Sequence, residues 1–158
     1  MGTHKITFRK LVESDKKNLS GLFGKSSKAD TSAYAIFELD QLSEDDLFKR
    51  MANLNVEVIT RDDSLFLGII EMVPYENNGL ELRTVVIQDD NIDPKESEIA
   101  TEKYIIKALK KHGATRIIIS IEKTQDATIN HLLSSGYKVV STINNIITFE
   151  FDFGKFNK

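Results

Sequence analysis

The chain has no cysteine, no long apolar run and no excess of basic residues. Without cysteine there is no disulfide, no thiolate metal site and no cysteine nucleophile. Three scattered histidines, His4, His112 and His131, share no His-x-x-x-His spacing and give no metal site. A formal net charge of −3 leaves no electrostatic footprint for nucleic acid or an anionic membrane surface, so neither is expected as a partner. No apolar stretch approaches the ~20 residues of a membrane span, and the start from Met1 has no signal-peptide hydrophobic region. A cytoplasmic location is the expectation. Gly2 is not a persuasive lipidation signal, because Ile6 stands where a Ser or Thr is wanted. The Gly-x-Ser-x-Gly elbow, the Gly-Lys-Ser/Thr phosphate loop and the dinucleotide glycine fingerprint are also missing.

What remains is ordinary globular material. The chain has 158 residues, 41% of them hydrophobic and 28% charged, which is long enough to bury a sizeable core as a single domain, 1–158. Residues Ile6 to Val12 alternate and predict a first strand. Ser14 is expected to cap a helix that carries Leu19, Leu22 and Phe23 and ends at Gly24. A polar loop follows to Thr31, then an ambiguous segment, Ala33 to Leu39, read as helix. Ser43 with Glu44, Asp45 and Asp46 predicts a capped helix ending near Asn53. Val56 to Thr60, Leu65 to Val73 and Leu80 to Ile87 form a three-stranded meander, its second turn set by Asn78-Gly79.

The period then changes. Asp93-Pro94-Lys95-Glu96 is a helix-start signature, with Asp93 at the N-cap, Pro94 at the first helical position and Glu96 at the third; the orphan amides are then expected to be satisfied by Asp93 itself, which fills the anion junction from within, and the helix is expected to run to His112-Gly113. Arg116 to Ile121 reads as a buried strand, reached by a right-handed crossover to a parallel neighbour. A helix from Thr124 to Ser135, closed by Gly136, precedes a hairpin of Tyr137 to Thr142 and Ile146 to Phe153. The alternating Phe149, Phe151 and Phe153 form either core or, on an edge strand, a homodimer surface. The segment Gln88–Ala100 carries Asp89, Asp90, Asp93, Glu96 and Glu98 against Lys95 alone, a net of −4 where a strand-to-helix junction usually receives an anion.

This succession resembles the GNAT N-acetyltransferase superfamily over almost the whole chain. The likeness is strongest from Ile99 to Ile121 and at Ser134 to Val140, and extends to Ile6 to Phe23. It implies a mixed, mostly antiparallel seven-stranded α/β sheet flanked by about four helices. It also implies acetyl-CoA as cofactor, with the pantetheine between the fourth and fifth strands along the backbone of Val85, Val86 and Ile87. The pyrophosphate would lie on the window containing Lys95, Ser97 and Ala100. The window departs from the family pattern at Glu98, which replaces a loop glycine, and the family's Tyr acid corresponds to Leu132. The resemblance implies Glu81 as general base and leaves His131 as the acid, with a small-molecule or peptide amine as acceptor. A module of the same fold that has lost acetyl-CoA and binds a ligand or protein is the alternative. Glu81 could instead be a strand residue paired with Arg83, and Glu71 is either outward-facing or functional. Arg83 and Arg116 could contact phosphate or form salt bridges.

Overall fold

A computed structural model describes residues 5–23, 41–86 and 94–153. The expected loop to Thr31, the helix proposed at Ala33 to Leu39, Ile87 and the Asp93 cap lie outside the described residues. Elements follow in the order β1 (Ile6–Lys10), a 3-10 turn (Glu13–Asp15), α1 (Lys16–Phe23), α2 (Glu44–Ala52), β2 (Glu57–Arg61), β3 (Leu65–Tyr75) and β4 (Gly79–Val86). They continue with α3 (Pro94–His112), β5 (Arg116–Glu122), α4 (Asp126–Ser134), β6 (Lys138–Ile143) and β7 (Ile146–Asp152). The seven strands form one sheet in the order β1-β2-β3-β4-β5-β7-β6. β4 and β5 pair in parallel, whereas β1–β2, β2–β3, β5–β7 and β6–β7 are antiparallel. This is the mixed, mostly antiparallel α/β sheet expected from the pattern.

By packing the chain divides into two units, Met1–Glu71 with Thr84–Lys103, and Met72–Arg83 with Tyr104–Lys158. The core of the first unit joins Leu19, Leu22 and Phe23 of α1 and Leu47 and Met51 of α2 to Val58, Phe66, Ile69 and Val85 of the strands. Apolar residues three and four apart put these helix side chains on one stripe. Within that unit the Val85 carbonyl and the Val86 Cα lie against Gly68 of β3, where a Cβ would collide with backbone. Only glycine permits that approach. In the second unit Ile121, Leu132 and Phe149 form a core with Ile119, Ile129, Tyr137 and Ile147 around them.

Most boundary signals act as read. Ser43 Oγ accepts the Asp46 N–H at 3.2 Å and caps α2, and Asn53 ends it. Pro94 opens α3, and Gly113 and Gly136 end their helices at φ 63° and 96°.

Two expectations are corrected, and one pair of alternatives is decided. Ser14 lies inside the 3-10 turn and caps nothing; Asp15 does that work, taking the Val12 N–H at 2.9 Å while Arg9 grips both its oxygens at 2.8 and 2.9 Å. The hairpin turn before β4 places positive φ on Asn77 and Asn78, at 56° and 60°, not on Gly79. Asparagine tolerates that region because its short side chain bonds locally. Finally, β7 is an interior strand between β5 and β6, so the Phe row is not on an edge. Phe149 is fully buried, and Phe151 packs on Tyr137 and Phe153 with ring centroids 5.2 and 4.5 Å away. The edge is β6, where Val139, Val140 and Ile143 are exposed.

Candidate functional site

The candidate residues fall in two groups, one per unit. In the first unit, Lys95, Ser97 and Ala100 all belong to the first turns of α3. Because α3 begins at Pro94, this window is helix and not loop. In an α-helix the amides of the first turn lack an internal backbone partner, and Pro94 has no N–H to offer. The Glu98 amide reaches back to the fourth residue before it, Pro94, and is spent inside the helix. The position that would be glycine in the family pattern therefore offers no free donor, and its side chain is exposed. The exposed Lys95 lies in this first turn, at the positive end of the helix dipole. Val85 is fully buried in the core and Val86 is half-buried, at the end of β4. Glu71, read as outward-facing or functional, is not outward: it is 3% exposed.

In the second unit the register defines a polar face. Glu81, Ile118, Glu150 and Lys138 lie opposite one another across β4, β5, β7 and β6. Ser120, Thr148 and Ser141 form a second row two residues on. Residues paired across neighbouring strands share a face. On the other face stand Leu80, Leu82, Ile117, Ile119 and Phe149.

Each charged group on the polar face has a distinct arrangement. Arg83 donates to Glu81 Oε1 from Nε at 3.1 Å and from Nη2 at 3.0 Å. Arg116 donates to Glu150 from Nε at 3.0 Å and Nη2 at 2.9 Å, and its Nη1 holds the Glu76 carbonyl at 2.8 Å. The hydrogen bond from Arg116 holds Glu150 below the usual carboxylate range despite its partial burial, and Glu150 in turn raises Arg116. Ser120 Oγ and Thr148 Oγ1 are 2.9 Å apart. The sequence signal for that hydroxyl pair is Ser120, the one polar residue within Ile117 to Ile121. His131 is exposed in the last turn of α4, while its neighbour Leu132 enters the core. Among the described residues no cluster of His, Asp and Glu could hold a metal, and no helix is long and apolar enough to cross a membrane.

No protein-family model matches the chain, and no curated protein matches it. Solved structures do. Spermidine N-acetyltransferase from Vibrio cholerae, in complex with CoA and spermine, aligns with TM-score 0.71 and 13% identity over 98% of this chain and 99% of that one. A GNAT-family acetyltransferase from Bacillus anthracis gives TM-score 0.68 and 11% identity over 94% and 95%. The PaiA N-acetyltransferase of Thermoplasma acidophilum, in complex with coenzyme A, gives 0.64 and 18% over 94% and 99%. At these identities the likeness is one of fold: the chain has the GNAT acetyltransferase fold.

Proposed function

We propose that this protein is an N-acyltransferase that moves an acetyl group from acetyl-CoA to a small-molecule or peptide amine. The observation that carries this reading is the fold, which extends over almost the whole chain and is shared with acetyltransferases solved with coenzyme A bound. The positive end of the α3 dipole, with the exposed Lys95 in its first turn, suits the cofactor's phosphates. When bound, acetyl-CoA supplies the activated thioester carbon. Glu81 takes the proton that the amine nitrogen sheds as the amide forms. Leu132 carries no proton, so the leaving sulfur is served by His131, the titratable side chain of the last turn of α4, or by water.

A second reading has its own observation. Glu98 is an exposed carboxylate in a helical window, and Leu132 is core. Both favour a module of this fold that no longer uses acetyl-CoA.

Turnover separates the two. The purified chain is incubated with acetyl-CoA and a panel of amines, and thiol release is followed beside the acetylated product by mass. The enzyme reading expects amine-dependent release that falls by about 10²–10⁴-fold in Glu81→Gln. No release with any amine, and equal background in wild type and variant, overturns it.

A further inference from the structure

Arg61 is the last residue of β2 and pairs with Ile6 of β1 and Leu65 of β3. Strand alternation keeps it out of the core around α1 and α2. Val58 enters that core, so Ile59 and Arg61 stand on the opposite face, with Ile6 and Phe8 of β1 beside them. The neighbours of Arg61 on this face are apolar: Ile6 on one ladder, Leu65 on the other, and the buried Ile59 two residues back. Arg61 is half-buried, and its Nη1 is buried without a hydrogen-bond partner. Among the described residues no carboxylate pairs with its guanidinium. The two acids next in sequence are turned to other donors: Asp62 Oδ1 accepts the Lys5 N–H at 2.8 Å, and Asp63 Oδ1 accepts the Thr7 hydroxyl at 2.7 Å. A guanidinium is always charged and can only donate, so this buried N–H calls for an acceptor.

The residue's place in the first unit bears on what that acceptor is. Ile59 pairs with Gly68, and Gly68 lies against Val85 and Val86, where β4 ends. Arg61 is two residues beyond Ile59, at this same end of the sheet. We propose that Arg61 is a phosphate-binding residue, whose guanidinium receives a phosphate group of a bound molecule. The planar fork offers two N–H groups to two phosphate oxygens, and the remaining oxygens of a tetrahedral group stay in water, as a half-buried position allows. Apolar neighbours strengthen the attraction relative to an open surface. An apolar side chain of similar length would fill this place with no unanswered donor. The charge therefore costs stability in the unliganded chain, and the ligand offsets that cost. The proposal rests on the acetyl-CoA reading only for the source of the phosphate: the cofactor is one source and free phosphate another.

The test titrates acetyl-CoA, dephospho-CoA and inorganic phosphate into the wild type, Arg61→Met and Arg61→Lys, at an ionic strength held constant with potassium chloride. Two readouts are taken: the melting temperature without ligand, and the Kd of each probe by calorimetry. The proposal expects Arg61→Met to melt at or above the wild-type temperature without ligand, because an unanswered buried donor is removed. It expects the same variant to bind phosphate-bearing probes more weakly by roughly 10- to 100-fold, the range of a hydrogen bond to a charged group. Arg61→Lys, which keeps the charge without the fork, falls between the two and stands in if the methionine variant does not fold. An Arg61 dependence seen with acetyl-CoA and lost with dephospho-CoA upholds the proposal and assigns the ribose phosphate; a dependence kept with both upholds it and assigns the pyrophosphate. A methionine variant that melts lower and binds every probe as the wild type does overturns it, and so does a wild type that binds none of them. Binding of inorganic phosphate that depends on Arg61, without binding of acetyl-CoA, upholds this inference and rejects the acetyl-CoA reading. Acetyl-CoA binding with every probe indifferent to Arg61 does the reverse.

Discussion

Arg116 holds Glu150 through two parallel hydrogen bonds of 3.0 and 2.9 Å while its remaining nitrogen, Nη1, donates to the carbonyls of Glu76 and Asn77. One side chain therefore ties β5 to β7 and to the turn that begins β4. It is spent on the architecture of the second unit and is not a phosphate ligand.

Substituting Arg116→Ala should lower stability by about 2 kcal/mol, because a two-pronged charge-assisted pair is lost and two carbonyls lose a donor. Glu150→Gln should cost less at neutral pH and change the acid limb. Glu150 titrates below its unfolded value of about 4.3 chiefly because Arg116 bonds its charged form. Its contribution is therefore present above that unfolded value and is lost as pH falls through the depressed folded one. Urea unfolding from about pH 7 to pH 3 should show a shallower loss in the glutamine variant than in wild type.

Asp15 makes a similar prediction for the first unit. Burial pushes its carboxyl up, but hydrogen bonds from Arg9 and the Val12 N–H, with the Arg9 charge, outweigh burial and leave it low. Asp15→Asn should cost about 2–3 kcal/mol, below the range for a fully buried pair because Arg9 is 38% exposed. As with Glu150, the stabilisation is present above the unfolded pKa and disappears as pH falls through the lowered one. The wild-type and variant stabilities should converge in acid; a constant difference down to about pH 2 would contradict the linkage.

Two glycines should respond with opposite signs. At Gly68 an added methyl meets the Val85 carbonyl and the Val86 Cα, both backbone. Gly68→Ala should destabilise by about 2 kcal/mol or more, since β4 must move to admit it. At Gly21, inside α1, an added methyl has nothing within 4 Å. Gly21→Ala should stabilise by about 0.5–1 kcal/mol through helix propensity. Thermal unfolding of the two variants side by side checks both.

Local devices were legible in the sequence because they act over a few residues. Ser43 with its three acids, Pro94 at a helix start, and glycines 113 and 136 at helix ends each carry their own stereochemistry. What depends on distant pairing was not legible. Asp15 displaced Ser14 as the cap because Arg9, six residues earlier, supplies the counter-charge only once β1 is in place. The Phe149 row suits an edge or an interior strand equally, and only the order β5-β7-β6 decides between them. At the candidate site the early helix start was foreshadowed by Asp93-Pro94. The consequence that the Glu98 amide is consumed within the helix needed the structure. Glu81 and Arg83 were visible as neighbours on a strand, but their shared oxygen and partial burial were not.

The central proposal is that this chain binds acetyl-CoA, with its phosphates at the start of α3 beside Lys95. Titration of acetyl-CoA up to ~1 mM, read by thermal unfolding of the wild type and of Lys95→Ala, tests it most directly. The account predicts a saturable rise in melting temperature of several degrees in the wild type, as a ligand at about 100 times its Kd stabilises by about 2.7 kcal/mol, and a weakened rise in the variant. No shift in the wild type, or a shift that appears only when Glu98 is replaced by glycine, would contradict it.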